Sequence, residues 1–570
     1  MRRSAVDRET RRRFEEYRRE QAGPIENTLI DELADGELDR GEFLQRATMF
    51  GLSVSAIGAA LELSGHNPLA HAAPVAHKVG GRLKVGIIPP PVSSLDPHTY
   101  KDTGGLQTGS ICGEFLTRAT QSLTLDPELA TSWTPNAEAT IWTYKLRPNV
   151  KFQSGQAFGA DDVVATFERL VDPNSGSQAL SAYKGVLSPG GTKRVDNLTV
   201  QFHLDAPTAS FPYLTSSTTY QAILLPADYK TGTFEKTPQT TGAFRLVSYT
   251  PGVGAKFERF AGWWGGRAPL DGIDVTYYTD DAATTAALLG GQVNLVGQIN
   301  FATGRPLFNN SNVQIFNARG ATHRQVCMRV DVRNPLRDWR VRQAIALTLD
   351  RPAIVKTLFG TFADVGNDSP FAPVYPSRDP SVPQRKKNIR LAKRLMAAAG
   401  YRKGFAITLT TEQTGEIPQL AQIIQRSVRA IGIRMNLKII TATAYFAGSQ
   451  SGPPTGWGTT PWLNAPVNIT DWGHRAVPNV YLTSALETKG IWNAAHYASA
   501  RFDRAAKSYI GAIAVKDQRR FAGQMQRILL HDTPVIFPYF YNYLGAGSKN
   551  VKGYKADAQG SIFFSHTSLD

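Results

Sequence analysis

Apolar and polar residues alternate with period two in residues 83–88 (LKVGII), 141–146 (IWTYKL) and 198–204 (LTVQFHL), which predicts three half-buried strands. Between the last two, apolar Val163, Phe167, Leu170 and Val171 fall at helical spacing, and Asp161 or Asp162 is placed to cap the N-terminus. The second half of the chain repeats the scheme. Residues 405–411 read as a strand. Residues 418–431 read as a helix with Leu420, Ile423, Ile424, Val428 and Ile431 on one face, closed by Gly432, and Ile433, Met435, Leu437 and Ile439 alternate as the next strand. This β-α-β order predicts a right-handed crossover between parallel strands and hence an α/β lobe. Asp350-Arg351-Pro352 adds a cap followed by a first-turn proline.

One run breaks both periods. Residues 47–61 (ATMFGLSVSAIGAAL) are continuously weakly polar. Fifteen residues are too few for a membrane span, which needs about twenty, but they match the apolar core of a cleavable export signal. Ala70-His71-Ala72 downstream has the A-x-A form of a cleavage site, and the charged segment upstream pairs Glu9 with Arg13 at i,i+4 on a solvated helix. Uncleaved anchoring at a membrane surface is the alternative. No cysteine follows the run, so lipid attachment there is excluded.

At 570 residues the chain exceeds what one hydrophobic core supports, so two or more domains are expected. The net charge of +16 lies wholly outside the first 72 residues, where thirteen acidic residues outnumber ten arginines. The remaining basic residues are dispersed without an aromatic-interleaved run, which predicts a solvated basic surface and no nucleic-acid partner. Two distant cysteines, Cys112 and Cys327, lack any CxxC pattern, and the ten histidines form no H-x-x-H or H-E-x-x-H pair. No metal site and no cofactor is expected. The two cysteines could form one bridge, a point the sequence leaves open.

Residues 457–475 (WGTTPWLNAPVNITDWGHR) concentrate Trp457, Trp462, Trp472, Asp471 and Arg475 among prolines and glycines. Such a stretch cannot be one regular helix and reads as a structured loop with the aromatic faces and fixed charges of a small-molecule pocket. The competing reading places the tryptophans in a core.

Several ordered segments carry a family resemblance: Ser94-Leu95-Asp96-Pro97, residues 127–133 (PELATSW), residues 141–170 (IWTYKLRPNVKFQSGQAFGADDVVATFERL), Thr241-Gly242-Ala243-Phe244, Trp263-Trp264, Leu270-Asp271-Gly272-Ile273 and residues 334–344 (NPLRDWRVRQA). Together they resemble the peptide and nickel type of bacterial ABC-importer solute-binding proteins, family 5, over roughly residues 83 to 570. Asp39-Arg40-Gly41-Glu42-Phe43-Leu44 likewise resembles a twin-arginine export motif, departing at Gly41.

The resemblance implies an α/β fold of two lobes around a hinge, the class II, cluster C type of periplasmic binding protein, with an extra domain inserted in the first lobe. Residues 1–72 would be the charged region and Tat-like signal. Lobe I would take 80–325, including an insert of about 111–190, lobe II 326–540, and 541–570 would return to lobe I. The crossing strands are expected near 325–330 and 535–541. The implied function is extracytoplasmic capture of a peptide or similar amine-bearing solute for an ABC permease and its ATPase, by a periplasmic monomer that is peripheral to the membrane.

In peptide-binding members, a carboxylate in an Asp-Trp or Asp-Tyr motif ahead of an N-x-x-x-Y sequence pairs with the ligand's α-ammonium. Asp471-Trp472 precedes Asn493-Ala494-Ala495-His496-Tyr497 in that order, so the role carries to Asp471, with an internal pair to Arg475 as its rival. His474 and Arg475 depart from the family's acidic or proline-containing continuation and offer donors to a ligand carboxylate or phosphate. The loop Thr240-Thr241-Gly242 corresponds to one whose backbone meets ligand. The expected binding set is thus Asp471, Trp472, His474, Arg475, Trp457, Trp462, Thr241 and Gly242, with no catalytic residues. Opines, sugar derivatives or metal chelates are alternative ligands. A hydrolase is the rival class, though no G-x-S-x-G, P-loop or Rossmann glycine pattern is present.

Overall fold

The computed structural model describes residues 8–20, 22–67, 78–91, 94–449 and 458–570. Its backbone is a single long sheet of twelve strands running through two α/β lobes. The path in ranges is 434–440, 406–412, 467–472, 313–328, 539–548, 295–296, 82–87, 272–277, 254–259 and 244–250. The expected β-α-β unit forms: strand Ala406–Glu412, helix Ile417–Val428 and strand Arg434–Ile440, with the strands parallel and paired from Ala406↔Arg434 to Glu412↔Ile440. Leu420, Ile424 and Val428 of the helix are fully buried against that sheet, and Gly432 takes φ 82° to turn the chain back, a conformation natural to glycine.

The two halves of the sheet are joined by the antiparallel pair Val313–Met328 and Tyr539–Ser548. Val313–Met328 reaches sixteen residues and pairs with Val467–Trp472 at its far end, so it belongs to both halves. A separate four-stranded antiparallel sheet, residues 130–203 in strand order 130–135, 141–146, 199–203, 192–196, stands beside the first half. Its helix Ala160–Val171 carries Asp162 as its third residue, whose Oδ2 reaches back to accept from Gly159 N at 2.8 Å.

Residues 8–63 form four helices: α1 (Arg8–Glu20), α2 (Pro24–Ala34), α3 (Arg40–Met49) and α4 (Val54–Leu63). The apolar run 47–61 is not one continuous helix. Gly51, at φ 78°, ends α3, and Ser53 caps α4 by accepting from Ala56 N at 3.2 Å. Phe43, Phe50, Ile57 and Leu61 are buried in the same apolar core as the four-stranded sheet. Ala70-His71-Ala72 lies outside the described residues. Among those residues no helix is long and apolar enough to cross a membrane.

Both cysteines are buried and free, which settles the open question of a bridge, and burial pushes both thiols up, Cys112 to about 12.

Candidate functional site

A cavity of about 690 Å³ lies between two walls. One comes from the segment 178–221 beside the four-stranded sheet, the other from residues 475–511 of the second lobe. Asn479 Nδ2 donates to Ser210 Oγ across it at 3.0 Å. The volume is that of a small-molecule pocket. Leu214, Tyr220, Val480, Trp492 and Ile510 give it apolar surface, while Lys101, Lys184, Arg475 and Lys507 set four cations against the carboxylates of Glu487 and Asp503.

The acidic corner is built by a loop and a helix start. Asp503 lies in the first turn of helix Ala500–Gly511, and its Oδ1 accepts from Thr488 N at 3.0 Å. Glu487 is half-buried beside it. Burial and then the neighbouring Asp503 charge push the Glu487 carboxyl up to about 7. The loop is pinned by Asn493, whose Nδ2 donates to the Glu487 carbonyl at 2.9 Å and to the Tyr497 carbonyl at 2.8 Å. Its Oδ1 accepts from Tyr497 N at 3.0 Å. The N-x-x-x-Y sequence therefore fixes the backbone that carries Glu487.

Of the described residues expected to bind ligand, only Arg475 reaches the wall of this cavity. Residues 461–472 are not a loop but a short helix, Pro461–Asn464, and a strand, Val467–Trp472, because V-N-I-T-D-W alternates. Strand parity then decides orientation. Asp471 shares a face with Val467 and Ile469, which pack in the second lobe's own core, while Trp472 points to the opposite face.

Asp471, 45% exposed, is bound by Arg324, its register partner on Val313–Met328. Arg324 Nη2 also donates to Glu416 Oε2 at 3.1 Å, and Nη1 to Tyr541 Oη at 2.6 Å, with the guanidinium 4.7 Å above the Tyr541 ring. Burial works against the Arg324 charge, but Glu416 and its neighbours more than restore it, so the pKa is raised. The expected α-ammonium contact at Asp471 is thereby corrected: its carboxylate has a resident cation and lies off the cavity. The rival pair with Arg475 does not form either, because residues 471 and 475 are joined through a strand end and not a helical turn.

Trp472 and Trp462 are buried in the aromatic core. Trp472 meets Trp492 edge to face at 5.7 Å, and Trp462 meets Phe446 at 5.5 Å. Both stand behind the cavity wall that Trp492 forms. Trp457 lies outside the described residues. His474 is buried, and its Nδ1 accepts from Ala321 N at 2.9 Å. Burial, helped by Arg475, lowers its pKa to about 3 and keeps it neutral. Thr241 donates to Glu114 Oε2 at 2.7 Å. Gly242 does serve a close backbone approach, but to Cys112, whose carbonyl oxygen would sit 2.2 Å from an added Cβ. These two residues hold lobe I together and do not line the cavity.

Glu487 carries no motif of its own in the sequence. Its only signal is its place between the pocket-lining strand end and the asparagine that pins it. Among the described residues no group of three or more His, Cys, Asp or Glu is placed to hold a metal ion.

The sequence pattern of the bacterial extracellular solute-binding proteins, family 5 Middle, matches residues 124–492. The chain is 25% identical over 476 residues to the glutathione-binding protein GsiB of Escherichia coli (strain K12), covering 81% of this chain and 90% of that one. It is also 25% identical over 481 residues to the heme-binding protein A of Haemophilus influenzae, covering 79% and 85%. Among solved structures, the periplasmic binding protein DppA from Helicobacter pylori in complex with peptide STSA superposes with a TM-score of 0.71 at 21% identity, over 86% of this chain and 98% of that one. The family pattern spans well over half of the chain, and the two-lobed sheet is shared with that solved structure: the chain belongs to the family 5 bacterial extracellular solute-binding proteins.

Proposed function

We propose that the 690 Å³ cavity captures a short peptide or a similar zwitterionic solute outside the cytoplasm and presents it to an ABC permease and its ATPase. The observation that carries this reading is the pairing of opposite charges on the cavity's walls. Glu487 and Asp503 form one anionic corner that suits an ammonium. Arg475, Lys101, Lys184 and Lys507 supply donors for carboxylates, with Arg475 able to bind one bidentately. A ligand here would touch both lobes, so its binding favours the closed arrangement by its differential affinity for it. The cations outnumber the acids, which favours ligands carrying more than one carboxylate. No step of covalent chemistry is assigned to any residue.

Mass spectrometry of whatever co-purifies with the protein tests the reading directly. A peptide or amino-acid derivative with a free amine is the expected cargo. A neutral sugar would defeat the proposal. An opine or a metal chelate would keep the cavity and change the solute class; heme, which the Haemophilus influenzae relative binds, is such a chelate.

A further inference from the structure

The four N-terminal helices are fastened to both sides of the cavity's end. On the four-stranded-sheet side, Trp133 Nε1 donates to the Met49 carbonyl at 2.8 Å and Leu125 N to Thr48 Oγ1 at 3.0 Å. Phe50 stacks on Trp142 at 6.0 Å. Gly51 presses so closely on Trp133 that an added Cβ would stand 1.9 Å from its carbonyl oxygen.

On the second-lobe side, the bonds go to the start of helix Val515–Asp532. Arg46, 4% exposed, donates from Nη1 to Gln518 Oε1 at 2.8 Å and from Nη2 to the Ile513 carbonyl. Val515 N donates to Glu32 Oε1 at 2.9 Å. Arg519 reaches the Glu37 carbonyl at 2.6 Å and Glu42 Oε1 at 2.5 Å, while its Nε holds the Pro376 carbonyl at 2.9 Å. A small cavity of about 30 Å³ marks the junction of all three parts, bounded by Arg46 and Met49, by Ser210 and Tyr213, and by Asn479 and Gln518. Ser210, Tyr213 and Asn479 also line the large cavity.

We infer that residues 8–63 remain with the working protein as a clasp, bonded at once to the four-stranded-sheet side and to the second lobe, and hold the two walls of the cavity together when no ligand is bound. A charged group buried with partners on another body is costly to separate, because parting leaves Arg46 and Glu32 without those bonds. Opening the cavity therefore requires the clasp to let go of one side, so the clasp sets how freely ligand enters and leaves. The inference does not depend on which solute the cavity takes.

The test uses the full chain without ligand. Gly51→Ala loosens the clasp at Trp133, and Arg519→Ala loosens it at the second lobe. Hydrogen–deuterium exchange is then compared on residues 178–186 and 475–488, with strand 406–412 as the control remote from the clasp. Arg519→Ala is expected to raise exchange on the two cavity walls by about tenfold, the scale of one lost charge-assisted bond, and Gly51→Ala to raise it on the same walls, with the control unchanged in both. Unchanged walls in both variants, or an equal rise in the control, would overturn the clasp. So would an intact mass of the exported protein that lacks residues 8–63.

Discussion

Two charged neighbourhoods draw on the chain around the strand that ends at Trp472, one through Asp471 on the strand and one through Glu487 and Asp503 beyond it, and they differ in what their charges face. Around Arg324, the carboxylates of Asp471 and Glu416 and the hydroxyl of Tyr541 already meet the guanidinium, so the group is closed on itself. Around Glu487, the carboxylate lies beside another carboxylate, Asp503, and the cavity's cations stand on its walls. The first neighbourhood ties the crossing strand to its lobe. The second leaves charge to be answered by a solute. Nearness in sequence to a recognised motif says little about which of the two a carboxylate joins.

The largest effect that separates them is on stability. Arg324→Ala leaves the largely buried Glu416 without its cation and the half-exposed Asp471 without its partner, and is expected to cost about 3 kcal/mol, read as a lowered denaturant midpoint with little change in slope. A loss below about 1 kcal/mol would mean the network is not closed as described.

Next comes ligand discrimination. Glu487→Gln should weaken capture of a free-amine peptide by about ten- to hundredfold while leaving its N-acetylated form nearly unchanged, measured by calorimetry. Equal losses for both forms would move the ammonium elsewhere.

A pH series sharpens the same point. Because burial and Asp503 raise the Glu487 carboxyl to about 7, free-amine affinity should climb as pH rises through that value. Stability should move the opposite way. The folded state holds a proton that the unfolded chain releases, so the contribution is full below the ordinary carboxylate range and is lost as pH rises through about 7. Urea midpoints compared at pH 5 and pH 8 for the native chain and Glu487→Gln check the sign, since the variant should lose that slope.

The smallest effect is expected at the residue the motif pointed to. Asp471→Asn should cost under about 1 kcal/mol, because the carboxylate is 45% exposed, and should leave free-amine affinity within about twofold. A large selective loss of free-amine binding in Asp471→Asn would restore that residue to the site and dismantle the comparison.

Strands and helices with a clean period were legible in the chain. The alternation in 141–146 and the apolar stripe of 418–431 each carry one face to a core, and the elements form where that spacing places them. The orientation of Asp471 was missed, although it sits two and four residues from Ile469 and Val467. The prolines at 461 and 466 and the flanking glycines hid the strand and suggested a loop. The long strand Val313–Met328 was harder to see, because V-Q-I-F-N-A-R-G-A-T-H-R-Q-V-C-M mixes polar residues that are buried by pairing with strands from distant parts of the chain.

What the sequence determined by itself was local: period, caps, the turn at Gly432, and the family to which these segments belong. Tertiary structure alone decided which carboxylate meets a resident arginine and which faces an open volume. That choice depends on register between strands about 150 residues apart and on two walls drawn from separate parts of the chain. The same holds for the apolar run at 47–61. Its composition suits a leader, and only the surfaces of Trp133 and Trp142, brought into place by the fold, give it a place to pack.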